Sequence, residues 1–389
     1  MTDLQRADRG TTSEPAGGGA TAGAGATARA SATGGADATA SAGAGYVDWD
    51  FAASAGRRLA PPGPKAGRAQ IERLVAELHE SAARAVEPVA QTSGLRAPEE
   101  APTPLVVDRG GWIEANTASL RGMLGPVLDH VVTRRKDNQP SETAQRFGGR
   151  MTGTEVAGML AWMSTKVLGQ YDLAPEGTPR LLLVAPNILA VERDLGVDPA
   201  DFRLWVCLHE ETHRVQFTAV PWLRQHIVDA ARELGTQLVP ESDQMSQRLQ
   251  EIVTALPGVL RGETDITQVL ATPEQRERLA EVTAVMSLLE GHADVIMDDV
   301  GPSVIPSVAT IRARFQERRK GSGGVDRILR RLLGMDAKMA QYRDGAVFVR
   351  SVTDQVGRDG FNRVWESPET LPRAAEIADP AAWVRRVHG

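Results

Sequence analysis

This chain has a single cysteine, Cys207, among 389 residues, so no internal disulfide can brace it. A lone thiol suits a reducing, cytoplasmic setting rather than a secreted disulfide scaffold. No stretch approaches the roughly 18 consecutive apolar residues that a membrane-spanning helix needs. Basic charge is not in excess: the net charge is −6, which gives no general field for nucleic acid. Two short basic runs, Arg134-Arg135-Lys136 and Arg318-Arg319-Lys320, read as solvated helix ends with favourable dipole contacts. No G-x-x-x-x-G-K-[ST] phosphate loop occurs, no internal repeat is present, and nothing suggests the alternation of a doubly wound sheet. Membrane and nucleic-acid partners are therefore not expected.

Aromatic residues are also missing where the chain starts: none precedes Tyr46. Residues 1–46 are almost entirely Ala, Gly, Thr and Ser, too poor in apolar surface to offset the entropy of ordering. Asp3, Asp8 and Glu14 stand where a signal peptide would be basic, and no apolar segment follows them. The expectation is a disordered tail followed by one domain over 47–389, long enough for a sizeable core. That domain divides into a helical part (47–177), a part carrying the chemistry (178–300) and a helical C-terminal part (301–389).

Helical periodicity runs through Ile71, Leu74, Val75, Leu78, Ala82 and Val86, and again over 112–132. Thr152-x-x-Glu155 reads as a capping box opening a helix over 153–168. Leu105-Val106-Val107 is a candidate short strand. The apolar run Leu181–Ala185, ended by Pro186-Asn187, is a second. Helices are expected over 199–217, 222–235, 243–254, 273–289, 291–299, 307–319 and 325–350, with a break at Gly321-Ser322-Gly323-Gly324. The fold class is mainly α with a small β-sheet.

What stands out is His209-Glu210-Glu211-Thr212-His213, an H-E-x-x-H pattern. Four residues advance about 6 Å and about 400° along a helix, so both imidazoles lie on one face, one turn apart. That spacing lets both reach one metal ion at about 2.0–2.1 Å. Glu210 then stands where it can take a proton from an activated water. Asp198 before Pro199 gives the helix a clean start, with Phe202 and Val206 facing the core. The expected chemistry is hydrolysis with Zn²⁺ as cofactor, on a peptide or a small molecule.

A catalytic zinc needs a third protein ligand and one open position. Residues 216 and 219 are Gln and Ala, so the extended histidine motif is absent. Glu290, in Leu288-Leu289-Glu290-Gly291-His292-Ala293-Asp294, is the expected third ligand. Asp294 lies at i+4 on the same face, placed to accept an imidazole N–H and orient the ring. His292 competes, but it sits about 200° around the helix from Glu290. Gly291 is expected to let this helix approach the motif helix closely. Tyr342 and His226 are candidates for a donor to the transition state. The strand Leu181–Ala185 is a candidate for pairing with an extended peptide, against an ordinary buried role. Cys207 reads as a buried apolar residue rather than a ligand.

These residues together resemble the zincin-like metallopeptidase type 2 family. The similarity runs from about Asp48 to Gly389. It rests on Asp201–Leu208 leading into HEETHRVQF, on LLEGHADVIMD at 288–298, on LRRLLGMDAKMAQYRDGAVFV at 329–349, and on the segment 361–384. Members from bacteria of high genomic GC carry labels of hydrolase or of deazaflavin-coenzyme-biosynthesis-associated protein. The resemblance implies a mostly helical zincin-like fold with a zinc site. His209, His213 and Glu210 match the motif directly, and Glu290 matches by analogy with glutamate-ligand zincins. It implies no substrate, and no flavin-binding motif is present. One departure is the charge of Glu211 and Arg214 around the motif, read either as a local pair turned away from the metal or as a sign of a specialised site. The second reading gives the alternative of a zinc-stabilised scaffold or binding protein without turnover, its fourth ligand a residue such as His292. The oligomeric state is not legible.

Overall fold

A computed structural model describes residues 46–134, 141–238, 272–320 and 335–389 of the chain. The expected tail through residue 45, the helix over 243–254 and the glycine-rich break at 321–324 lie outside these residues.

The described elements are α1 (Trp49–Leu59), α2 (Arg68–Ser93), β1 (Leu105–Val107), α3 (Arg109–Arg134), α4 (Glu142–Met163), β2 (Gly169–Asp172), β3 (Arg180–Val184) and α5 (Ala185–Leu195). They continue with α6 (Pro199–Ala219), α7 (Pro221–Leu238), α8 (Pro273–Val300), α9 (Val308–Lys320), α10 (Met335–Asn362), α11 (Ala374–Ala378) and α12 (Pro380–His388). The architecture is mainly helical with one three-stranded sheet of order β1-β3-β2. No described helix is long and apolar enough to cross a membrane.

α6 is the axis of the structure. It begins where Asp198 accepts the backbone N–H of Asp201 at 2.9 Å, and Pro199 presets the first turn. Phe202, Leu204, Val206, Cys207 and Leu208 are all buried. They form one core with Leu74, Leu78, Ala82 and Ala85 of α2 and Ile188 and Leu189 of α5. On its other side α6 meets α8, which opens on a capping box: Thr272 and Gln275 satisfy each other's backbone N–H, with Pro273 in the first turn. A second core joins Leu223 of α7 and Leu288 and Leu289 of α8 to Phe348 and Val352 of α10 and Trp383 of α12. The two helices expected over 273–289 and 291–299 are one continuous α8.

Several expectations are corrected. α4 starts ten residues earlier than Thr152, at a Ser141 cap, and Thr152 instead donates its hydroxyl to the Gly148 carbonyl one turn back. Pro186 does not end structure after β3. It sits in the first turn of α5, where its missing N–H costs nothing. β2 was not anticipated. Leu181–Ala185 is not an exposed edge: β3 pairs in parallel with β1 (Val106 against Leu183) and antiparallel with β2 (Tyr171 against Leu181). Leu181, Leu182, Leu183 and Val184 are buried on both faces, so β3 cannot accept a further strand.

Candidate metal centre

α6 presents His209 and His213 one turn apart, and α8 crosses it with Glu290 facing the same point. The two imidazole Nε2 atoms are 3.1 Å apart. The Glu290 carboxylate lies 3.7 Å from His209 Nε2 and 3.8 Å from His213 Nε2. One ligating atom from each residue falls within 4.8 Å of the others, and among the described residues this is the only such cluster of three or more His, Cys, Asp and Glu. Two ligands held at about 2.0–2.1 Å on one tetrahedral ion stand roughly 3.4 Å apart, so these spacings match a shared ion. The donor set is two neutral-capable imidazoles and one carboxylate, a combination that zinc accepts with a position left open.

Glu210 supports the fit. Its carboxyl is buried beside this cluster, and its Oε2 has no hydrogen-bond partner. Burial first, and then the charge of Glu290, hold its proton affinity well above the usual carboxylate range. A buried oxygen without a partner is costly unless water, substrate or an ion completes it. Glu210 is held from behind by Gly169 of β2. A Cβ at that position would lie 2.5 Å from the Glu210 Cδ, so only glycine lets the strand come so close.

Each histidine is oriented from its far nitrogen. His213 Nδ1 is 2.9 Å from Gln216 Oε1, and His209 Nδ1 is 3.2 Å from the Met297 sulfur. Asp294 is half-buried on α8, but the acceptor for His213 is Gln216. His292 does not join the ligands. It is buried between Phe361 and Trp365, with Nδ1 3.0 Å from Gln216 Nε2. Burial drives its pKa down to about 3, so the ring is neutral. Gly291 serves a different neighbour from the one expected: it abuts Gly345 of α10, and a Cβ there would lie 2.2 Å from the Gly345 carbonyl carbon.

The charges around the motif turn away from the cluster. Arg214 donates two 2.7 Å hydrogen bonds to the Glu211 carboxylate, and both residues are buried. Cys207 is buried in the α6 core, where burial pushes its thiol pKa far up, as an inert apolar residue requires. His226 packs edge-on against Trp222 and lines a neighbouring cavity rather than the cleft at the triad. The Tyr342 side chain lies outside the described residues.

The cleft itself is a half-open cavity of about 350 Å³. One wall is β2, a second is α3 through Asn116, Ser119 and Met123, and the floor is the cluster with Glu210. Its apolar side comes from Phe217, Ile227, Met286 and Leu289. The strand and its glycine escaped sequence reasoning because Gly169-Gln170-Tyr171-Asp172 has no run of β-branched or apolar residues.

A family model described as zincin-like metallopeptidase matches residues 47–384. A crystal structure from Chloroflexus aurantiacus, described as "a putative hydrolase with a novel fold", is 31% identical, covers 88% of this chain and 99% of its own, and superposes with a TM-score of 0.63. The search of curated proteins found no match.

Proposed function

Because the chain belongs to the zincin-like metallopeptidase family, we propose that it is a zinc-dependent hydrolase of peptide bonds, acting in the cytoplasm. The observation that carries this reading is the convergence of His209, His213 and Glu290 beside the buried, unpartnered carboxyl of Glu210. The three converging side chains would hold zinc, and Asp294, one turn beyond Glu290 on α8, would help to orient His209. When bound, zinc supplies a Lewis acid that polarises the scissile carbonyl and acidifies water.

The chain's own residues supply the rest. Glu210 takes a proton from the attacking water and returns it to the leaving nitrogen. Burial of its carboxyl, which raises its proton affinity in the metal-free chain, favours its holding the proton between the two transfers. Burial of Glu210 keeps competing solvent from its reactive oxygen.

A peptide substrate is favoured by β2. Val184 donates its N–H to the Leu168 carbonyl at 2.8 Å. Antiparallel hydrogen bonding alternates, so Gly169 and Tyr171 turn their backbone N–H and C=O away from β3, toward the cleft side. An extended segment laid there can pair with the strand and present a carbonyl beside Glu210. The apolar side of the cleft then receives a side chain.

The scaffold alternative loses its motivation. Glu211 and Arg214 neutralise each other, and His292 is committed to Gln216 and the aromatic pair. The test is purified protein with zinc quantified, assayed against a peptide library. About one zinc per chain is expected, and Glu210→Gln should retain it while cutting turnover by about 10²–10⁴-fold. Unchanged hydrolysis of a confirmed substrate by zinc-loaded Glu210→Gln would defeat the mechanism.

A further inference from the structure

Gln216 is fully buried on α6, just under one turn beyond His213, and its amide makes three contacts. Nε2 is 3.0 Å from the Leu289 carbonyl oxygen and 3.0 Å from His292 Nδ1, while Oε1 is 2.9 Å from His213 Nδ1. A carbonyl oxygen only accepts, so the amide nitrogen must face Leu289. That fixes the flip of the side chain and leaves an acceptor opposite His213 Nδ1. The proton of His213 therefore sits on Nδ1, and its Nε2 presents a lone pair toward His209 and Glu290.

We infer that Gln216 is a positioning residue for the metal centre: it selects the His213 tautomer that can ligate through Nε2, and it ties that ring to the backbone of α8 beside Glu290. This rests on the zinc reading of the site. Leu289 immediately precedes Glu290, so a single amide locks a ligand on α6 to the helix that carries the ligand opposite. His292 is the third anchor. Held against Phe361 and Trp365, its Nδ1 accepts the second N–H of the amide and stops it from swinging. A methionine fills the same volume but supplies none of these bonds. A glutamate keeps the acceptor for His213 and, when protonated, one donor for Leu289.

Two measurements on the full chain test the assignment. In metal-free wild-type protein labelled with ¹⁵N-histidine, NMR should show His213 protonated at Nδ1, and an Nε2–H tautomer would overturn the inference. This arm needs no variant to fold. In competition with a chromogenic chelator, Gln216→Met should bind zinc about 10–100-fold more weakly than wild type. Gln216→Glu should recover much of that loss. Equal zinc affinity in Gln216→Met and wild type would also overturn it. A wild-type protein that binds no zinc sinks this inference together with the proposed function. A wild type that binds zinc but hydrolyses nothing sinks only the hydrolase reading.

Discussion

Gly169 of β2 stands against the carboxylate of Glu210 so closely that a methyl group on its Cα would lie 2.5 Å from Cδ and 2.6 Å from Oε1. Real side chains do not tolerate such contacts, so either the strand or the carboxylate has to move. Glu210 is the softer partner because it can rotate. Gly169→Ala is therefore expected to bind zinc as wild type does and to lose catalytic rate, by about 10²-fold for a displacement near 1 Å. Zinc content and kcat measured on the same preparation check this. A variant with wild-type kcat would mean that the strand, not the carboxylate, yields.

The pH response of the metal-free protein follows from two buried groups with opposite signs. Glu210 has a raised proton affinity, so its contribution is complete below the ordinary carboxylate value of 4.5 and is lost as pH rises through the raised value. Metal-free Glu210→Gln should accordingly melt higher than metal-free wild type at pH 8, and the gap should narrow toward pH 5. Thermal melts at the two pH values decide it.

His292 works the other way. Its pKa falls from 6.5 to about 3 on burial, so between those values the unfolded chain takes up a proton that the folded chain refuses. Stability is fully present above pH 6.5 and drains as pH falls toward 3, by up to a few kcal/mol from this residue. His292→Phe should be less stable at pH 7, having lost its bond to Gln216, yet show a shallower decline on acidification. Denaturant titrations across that range give the two slopes.

How far the sequence showed this site depends on how local each signal is. The start of α6 was legible because Asp198 and Pro199 act on their own helix, and the facing of His209 and His213 follows from helical pitch. Glu290 was legible for a similar reason: residues at i and i+4 share a face, which separated it from His292. The functions of Gly169 and Gln216 were hidden because their partners are distant in sequence. Gly169 matters through a carboxylate 41 positions on, and Gln216 through Leu289 and His292, which are 73 and 76 positions away. β2 was hidden because an edge strand with one face on α3 and the other on α6 needs no apolar alternation. α5 was misread because a proline after an apolar run can end a strand or open a helix, and here the β3 strand and α5 share the boundary.

The crossing of α8 and α10 offers a stability test that also reports on the site. Gly291 and Gly345 meet backbone to backbone: a Cβ at Gly345 would lie 1.9 Å from the Ser287 carbonyl oxygen. Neither partner is a flexible side chain, so the helices must separate. Gly345→Ala should destabilise the fold by about 1–3 kcal/mol or more. Because Glu290 adjoins Gly291, the variant should also weaken zinc binding.

The buried pair inside the motif helix gives the sharpest contrast between single and double substitution. Glu211 and Arg214 are three residues apart, joined by two hydrogen bonds of 2.7 Å, and nearly excluded from solvent. Removing the arginine leaves a carboxylate whose pKa burial already raises, with nothing to oppose that shift. Arg214→Met is thus expected to cost about 3–5 kcal/mol. Adding Glu211→Leu removes the stranded charge and should restore most of the loss, since an apolar pair of similar volume has no desolvation penalty. Zinc affinity should follow wild type in the double variant, because the pair faces away from His209 and His213. If instead the double variant is as unstable as Arg214→Met and binds no zinc, the pair shapes the metal helix in a way that its charge balance alone does not explain.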